Sequence, residues 1–306
     1  MQISKVIKDL KTSLRKKRLP SYGVFQEHMR RYQTDKLAGI GAEEFKKEID
    51  RFTGMADSKM EGFADPSKQR DLSIQFHWGH DHDFGSFAMQ GRMADRHLQL
   101  LAIFKDEFKA LSGDLSGLRV LDIGCWTGGT SLLLCAMGAE VLAIEEVKKY
   151  TDCLSYLKKA FNVRNLEVRN LSLYECSGAE FQDAFDIVLF AGVLYHISDP
   201  VLALRIAFNA TKDNGICLLE TMAANHGKPL MDYWGPNVFT YGERAKMNRG
   251  GWNWMVPSPL AVKHMMTDVG YESVEVKTKS DRAFAVGKRT KHVDIMRAGL
   301  SVRDIR

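Results

Sequence analysis

From Gly117 onward, short apolar runs alternate with helical stretches: LRVLDI, a helix to Met137, EVLAIE, a helix, LEVRNL, FDIVLF, a helix, and GICLLET. Aliphatic runs of that length, spaced by helix-length segments, mark βαβ units whose strands lie parallel and buried on both faces. The order excludes an all-helical bundle and an all-β sandwich. The end of the chain breaks the rhythm. YESVEVKTK and RAFAVGKR are two strand-like runs with only polar residues between them, so an antiparallel pair is expected there.

The first part of the chain reads differently. Ile3, Ile7, Leu10 and Leu14 recur at helical spacing, as do Phe45, Ile49 and Phe52. Residues 1–60 hold 14 Lys/Arg against 8 Asp/Glu, a surplus of 6 positive charges. The run Arg15-Lys16-Lys17-Arg18 could touch nucleic acid, although a solvated helix face is the commoner outcome. The expected division is a mostly helical extension or lid over 1–112, an α/β domain over 113–290 with an insertion at about 222–256, and a tail over 291–306. No window of about 18 uncharged apolar residues suggests a membrane span, and the basic N-terminus lacks an apolar leader core. The cytoplasm is the expected compartment. Five cysteines without a C-x-x-C pair predict buried reduced thiols rather than a disulfide framework or a structural zinc site. The net charge of +5 permits an anionic partner without demanding one.

The segment Val120-Leu121-Asp122-Ile123-Gly124-Cys125-Trp126-Thr127-Gly128-Gly129-Thr130 joins a buried strand to a helix through a tight turn. Gly124 and Gly128 let backbone approach a ligand where a Cβ would clash. Glu145 ends the next strand, about 20 residues on, where a carboxylate accepts from ribose hydroxyls. An adenosine-containing cofactor at the carboxyl ends of the first strands is expected. Trp126 stands where a dinucleotide loop has its second glycine, which argues against a pyrophosphate lying on the turn.

The pattern D-x-G-x-x-x-G formed by Asp122, Gly124 and Gly128 resembles motif I of the class I S-adenosylmethionine-dependent methyltransferases. The stretch Phe185-Asp186-Ile187-Val188-Leu189-Phe190, followed by Ala191-Gly192-Val193-Leu194-Tyr195-His196 and Asp199-Pro200, resembles their fourth strand and its catalytic-face loop. The G-V-L-Y-H form is most similar to the tRNA wobble-uridine carboxymethyltransferase family and its relatives. Met255-Val256-Pro257-Ser258 and Asp281-Arg282-Ala283-Phe284 extend the likeness, which covers about 117–290. It implies a Rossmann-like sheet of seven strands with an antiparallel last strand, carrying the helical extension. It also implies S-adenosylmethionine as cofactor, with Asp122 near its amino end. Gly124, Cys125, Gly128, Glu145, Glu146, Ala191 and Tyr195 would contact it, with Ser172 at the adenine. In the wobble-uridine family a lysine of a Trp-Arg-Lys-Gly run helps hold the extra carboxylate of carboxy-S-adenosylmethionine, assisted by a tyrosine and an arginine. Tyr195 and Arg282 match, but His80 stands near the lysine's place, flanked by Asp81 and Asp83. Plain S-adenosylmethionine is therefore the expected cofactor.

His77, His80, Asp81, His82 and Asp83 could suggest a metal, but neighbours on a strand alternate sides and cannot all converge, so no metal is expected. A lid over the acceptor is favoured, with Trp78 packing and one Asp and one His facing the substrate. The insertion supplies a second wall through Tyr233, Trp234, Tyr241, Arg244, Arg249, Trp252 and Trp254. The catalytic candidates are Tyr195, His80 and Asp81. The substrate-binding candidates are Trp78, Asp83, Tyr241, Arg244, Trp252 and Arg282. Hydroxyl or carbon acceptors need a base, such as His80, His82 or His196, whereas a thioether needs none. The leading expectation is methyl transfer to a small zwitterionic metabolite, in its sharpest form methionine giving S-methylmethionine. The alternatives are a tRNA wobble-uridine enzyme, with tRNA ranked behind a small molecule as partner, and a non-catalytic cofactor-binding scaffold. No membrane partner is expected, and the oligomeric state stays open, a homodimer being compatible.

Overall fold

The computed structural model describes residues 19–53, 76–235 and 253–291. The chain opens with α1 (Ser21–Met29) and α2 (Ala42–Thr53), then a small antiparallel ribbon of β1 (His82–Asp83) and β2 (Ala88–Met89), then α3 (Arg96–Ala102). The α/β part follows: β3 (Arg119–Ile123), α4 (Gly129–Ala136), β4 (Glu140–Glu145), α5 (Lys148–Ala160), β5 (Leu166–Asn170), β6 (Phe185–Ala191), α6 (Pro200–Ala210) and β7 (Thr211–Met222). Next come β8 (Met231–Tyr233), β9 (Met255–Pro257), α7 (Pro259–Asp268), β10 (Glu272–Lys279) and β11 (Arg282–Lys288).

The central sheet has seven strands in the order β5-β4-β3-β6-β7-β11-β10. Strands β3 to β7 run parallel; β11 pairs antiparallel with β10, as the chain-end pattern predicted, and also with β7. The central strands β3, β4 and β6 are mostly apolar and buried because helices cover both faces. One core layer lies under α1 to α5, the other under α6 and α7.

All eight residues of α4 are buried, because the N-terminal elements close over it. Tyr32 reaches across to donate its hydroxyl to the Leu132 carbonyl at 2.7 Å, and Phe45 packs edge-on against Phe84 and Phe161 with centroids 5.1 and 5.3 Å apart. The extension therefore shares one core with the sheet. At the opposite end, buried Arg289 donates from Nη1 to the carbonyls of Phe208, Asn209 and Thr211 and pairs with Asp183, tying β11 to the end of α6. The five cysteines are free and buried. Among the described residues no helix is long and apolar enough to cross a membrane.

Candidate active site

Strand β3 has β4 on one side and β6 on the other, so the chain winds in opposite directions from it. In such sheets ligands bind beyond the carboxyl ends of the strands at this reversal. The turn after β3 sits there. The N–H groups of Gly124 and Cys125 both donate to the Ile144 carbonyl, at 2.9 and 3.1 Å, which pins the turn to β4. Gly124 has φ +73°, and a Cβ there would lie 2.4 Å from Val193 Cγ2, so the turns after β3 and β6 touch through a hydrogen atom's width.

Trp126 takes φ +51°, a left-handed conformation that costs a non-glycine residue about 1–3 kcal/mol. The surroundings over-determine it. Its N–H donates to Glu145 Oε2 at 3.2 Å, and its ring is held edge-on to Tyr150 and His80, with centroids 6.1 and 6.0 Å away. The indole thus lies beneath the segment 76–80, and the turn keeps a glycine-like backbone.

Glu145 accepts from Val147 N–H at 2.9 Å with its other oxygen. Burial pushes its pKa up to about 7, against these amide donors. Each carboxylate oxygen has a second lone pair, which leaves room for ribose hydroxyls. Glu146 follows it, partly exposed, and the Asn170 side-chain amide clamps the carbonyls of both glutamates at 2.9 Å each. Asp122 is buried, accepts from Ser131 Oγ at 2.6 Å, and is pushed up to about 6 by desolvation. The Cys125 thiol is buried beside it. Ser172 caps the short turn Leu173–Glu175, with its N–H on Glu175 Oε2 at 2.9 Å, so its hydroxyl is engaged in the cap.

Strand β6 ends at partly exposed Ala191, and Gly192 N–H donates to the Glu220 carbonyl at 2.9 Å. Tyr195 follows on a short turn, its ring 4.1 Å from that of His196 and 4.9 Å from the Arg282 guanidinium carbon. Arg282, at the start of β11, donates to both oxygens of Glu220, through Nε and, at 2.7 Å, through Nη2. Both side chains are nearly inaccessible. Burial opposes the arginine's charge, but the Glu220 carboxylate more than offsets it and holds the guanidinium protonated. The backbone of Trp254 then docks on Tyr195: its N–H donates to the Tyr195 carbonyl at 2.8 Å, and its own carbonyl accepts from Trp234 and Gly235 at 2.9 and 3.0 Å. Strands β8 and β9, the two ends of the expected insertion, pair antiparallel at this spot.

The segment 76–83 crosses the glycine turn as a strap, with Gly79 N–H on Thr127 Oγ1 at 3.0 Å. Its side chains do not face a common acceptor. Trp78 is a core residue, edge-on to Phe84 at 6.0 Å, and His82 is buried in a stack on Phe84 at 3.9 Å. Asp81 and Asp83 are exposed and accept from the Gly91 and Gly85 N–H groups at 2.8 and 2.9 Å, each closing a turn. The cause is the alternation of sides: Phe76, Trp78, His80, His82 and Phe84 take the inner face, which leaves Asp81 and Asp83 outside. His80 stays beside the glycine turn. Among the described residues no three metal-ligating side chains come together. Tyr241, Arg244 and Trp252, with Arg249, lie outside the described residues.

Sequence reasoning passed over Glu220, whose signal was a lone acid in the apolar run GICLLET, and Arg96 and His97, which no motif marks. The glycine cradle, the β4 carboxylate and the face loop after β6 together fit an adenosyl cofactor with an amino-acid tail.

Comparison with known proteins agrees. The family model described as a methyltransferase domain matches residues 88–276, more than half of the chain. A tRNA U34 carboxymethyltransferase of Desulfotalea psychrophila is 32% identical over 117 residues, 38% of this chain and 36% of the relative. A ubiquinone biosynthesis O-methyltransferase of Rhizobium etli is 33% identical over 108 residues, 35% of this chain and 42% of the relative. The chain thus spans less than half the length of these curated relatives. Among solved structures, phosphoethanolamine N-methyltransferase 2 of Haemonchus contortus, in complex with S-adenosyl-L-methionine, superposes with a TM-score of 0.50 at 15% identity, covering 63% of this chain and 52% of that one. At that identity the likeness is one of fold. Sheet order, glycine turn and family match converge: the chain belongs to the methyltransferase-domain family, and S-adenosylmethionine is its cofactor.

Proposed function

We propose that the chain transfers a methyl group from S-adenosylmethionine to a small zwitterionic acceptor, in its sharpest form the thioether of an amino acid such as methionine. The supporting observation is the hydrogen bond from Trp254 N–H to the Tyr195 carbonyl, 2.8 Å long, which seats the β8–β9 ribbon on the catalytic-face loop. An acceptor held between ribbon and face is aligned and shielded from water, and alignment is most of what an in-line displacement requires. The cofactor supplies an electrophilic methyl on a sulfonium sulfur. The chain's own residues orient it: the Gly124 turn and Glu145 fix the nucleoside, and Tyr195 lines the face where the acceptor waits. The rings of Tyr195 and Trp254 suit a cationic product.

A second reading, methylation of RNA, draws on the groove beside α1 lined by Arg30, Arg31 and Lys36 together with Glu27. Two of its charges are already matched: Arg30 pairs with Glu27 and Lys36 with Asp35, each at 2.8 Å. That weakens its pull on phosphates and favours the small acceptor. The experiment offers labelled cofactor to a panel of amino acids and, separately, to unmodified tRNA. Labelled small molecules are expected. Robust labelling of tRNA with none of the small molecules overturns the reading.

A further inference from the structure

Trp126 holds two neighbours through two different parts of the residue. Its backbone N–H donates to Glu145 Oε2 at 3.2 Å. Its ring carries the strap. A Cβ added to Gly79 would lie 3.1 Å from the indole atoms Cδ2 and Cε3 and 2.7 Å from Thr127 Oγ1, so the strap backbone rests on the ring with no room for a side chain. His80 meets the indole edge-on at 6.0 Å. The Tyr150 ring also stands edge-on to it, at 6.1 Å, and the Tyr150 hydroxyl accepts from the Trp126 side chain and, at 3.4 Å, from the His77 N–H.

Glycine would take the left-handed backbone at this position without cost. A tryptophan at φ +51° takes it only against strain. Returning Trp126 to an ordinary negative φ re-aims its N–H relative to its ring, so the carboxylate contact and the strap contact cannot both survive the change. The two contacts therefore support one another. The strap moves as a unit with the segment that follows it: the N–H groups of Arg92 and Met93 donate to the carbonyls of Trp78 and Gly79 at 2.8 and 2.9 Å, and Asp81 N–H donates to Ala94 at 2.8 Å.

We propose that Trp126 is a positioning residue that couples the strap to the ribose acid, so that cofactor binding at Glu145 fastens residues 77–81 over the glycine turn. The inference rests on Glu145 serving the ribose, as proposed above, and on nothing about the acceptor. The ionised carboxylate that ribose hydroxyls select is a stronger acceptor for the Trp126 N–H than a protonated one. That bond holds the left-handed turn, the turn holds the ring, and the ring holds the strap. By linkage, the seated strap tightens the cofactor by the same factor.

Hydrogen exchange of the full chain, with and without saturating S-adenosylmethionine, tests it. The cofactor should slow the Gly79 and Asp81 amides by about 5- to 150-fold, the usual range for coupled sites, beyond any slowing of the β10 amides at the edge of the sheet. Trp126→Gly keeps the left-handed backbone and the N–H on Glu145 but has no ring. It should still bind the cofactor by calorimetry, and the extra slowing should vanish. A tryptophan that merely packs would change exchange equally with and without the cofactor. Tyr150→Phe removes the hydroxyl that the indole and the strap share, and it should lessen the slowing. It keeps the test open should Trp126→Gly fail to fold, which thermal melts of the unliganded variants report. Full slowing in Trp126→Gly, or in Tyr150→Phe where the glycine variant does not fold, overturns the proposal, as does a parent strap that the cofactor leaves unchanged. Glu145→Gln separates the coupling from the reading beneath it. Unchanged affinity there removes the ribose contact and the coupling together, whereas weakened affinity alongside full slowing in Trp126→Gly overturns the coupling alone.

Discussion

Arg282 lies 4.9 Å from the centre of the Tyr195 ring with two of its nitrogens bound to the Glu220 carboxylate, and neither member of that ion pair is open to solvent. The pair joins β7 to β11 beneath the catalytic face. Removing one partner strands a buried charge. Glu220→Gln should therefore destabilise the chain by about 3–5 kcal/mol, read as a shift of the urea midpoint. Adding Arg282→Met should recover much of that loss, because the stranded charge is then gone. A Glu220→Gln protein as stable as the parent would show that the pair is not desolvated.

The same pairing bears on which form of the cofactor is accepted. An extra carboxylate on the transferred carbon would need a free cation, and Arg282 has already given its charge to Glu220. Asp81 and Asp83 are turned outward onto backbone amides, so among the described residues the discrimination falls on Arg282. Competition binding should show the carboxylated form weaker than S-adenosylmethionine by about tenfold or more, the worth of one unmade charged hydrogen bond. Tighter binding of the carboxylated form would restore the wobble-uridine reading.

Glu145 gives the site a pH dependence with a defined sign. Its pKa in the folded chain is raised from 4.5 to about 7 by burial. The folded state thus holds a proton that the unfolded state has lost, so the stability of the unliganded chain is greatest below the ordinary carboxyl range and declines as pH rises towards 7. Cofactor binding runs the other way, because ribose hydroxyls bind the ionised form. Affinity should fall about tenfold between pH 8 and pH 6, from the single proton that must be expelled. Glu145→Gln should bind more weakly and flatten that slope. A parent profile already flat across this range would separate Glu145 from the ribose.

Much of this was legible in the sequence. The aliphatic runs flanking helix-length segments dictated the parallel strands, and the polar break at Ser280-Asp281 marked the antiparallel pair of β10 and β11. The glycine turn and the acid at the end of β4 were readable from their residue types and from their spacing within the strand–turn–helix–strand pattern. The strap was not. Whether Trp78 or Asp83 faces a ligand depends on which side of a short extended segment meets the core, and neighbouring aromatic and acidic residues leave that choice to tertiary packing. Phe45, Phe84 and Phe161, distant in sequence, settle it by drawing Trp78 and His82 inward. Trp126 was unreadable for a related reason. Its left-handed backbone is held by Glu145 and by Tyr150, neither of them a local neighbour.

The histidines decide which acceptor chemistry is open. Of the three weighed as bases, His82 is buried in a stack on Phe84, and His80 abuts Gly129 with its pKa lowered to about 4 by burial and by Arg96. His196 alone of these three stands on the catalytic-face loop, with its ring 4.1 Å from that of Tyr195. An oxygen acceptor must lose a proton in the transition state, and loss of its base costs about 10²–10⁴-fold. A thioether has no proton to lose, and its methylation ends in a sulfonium. His196→Ala should therefore leave kcat within about tenfold of the parent at saturating cofactor, far short of the loss of a general base. His82→Leu, away from the face, should change stability and not rate. Rates with the small acceptor that turns over best, followed from pH 6 to 9, make the comparison. A loss of about a thousandfold in His196→Ala, with the parent's pH dependence abolished, would assign His196 as a general base and exclude the thioether.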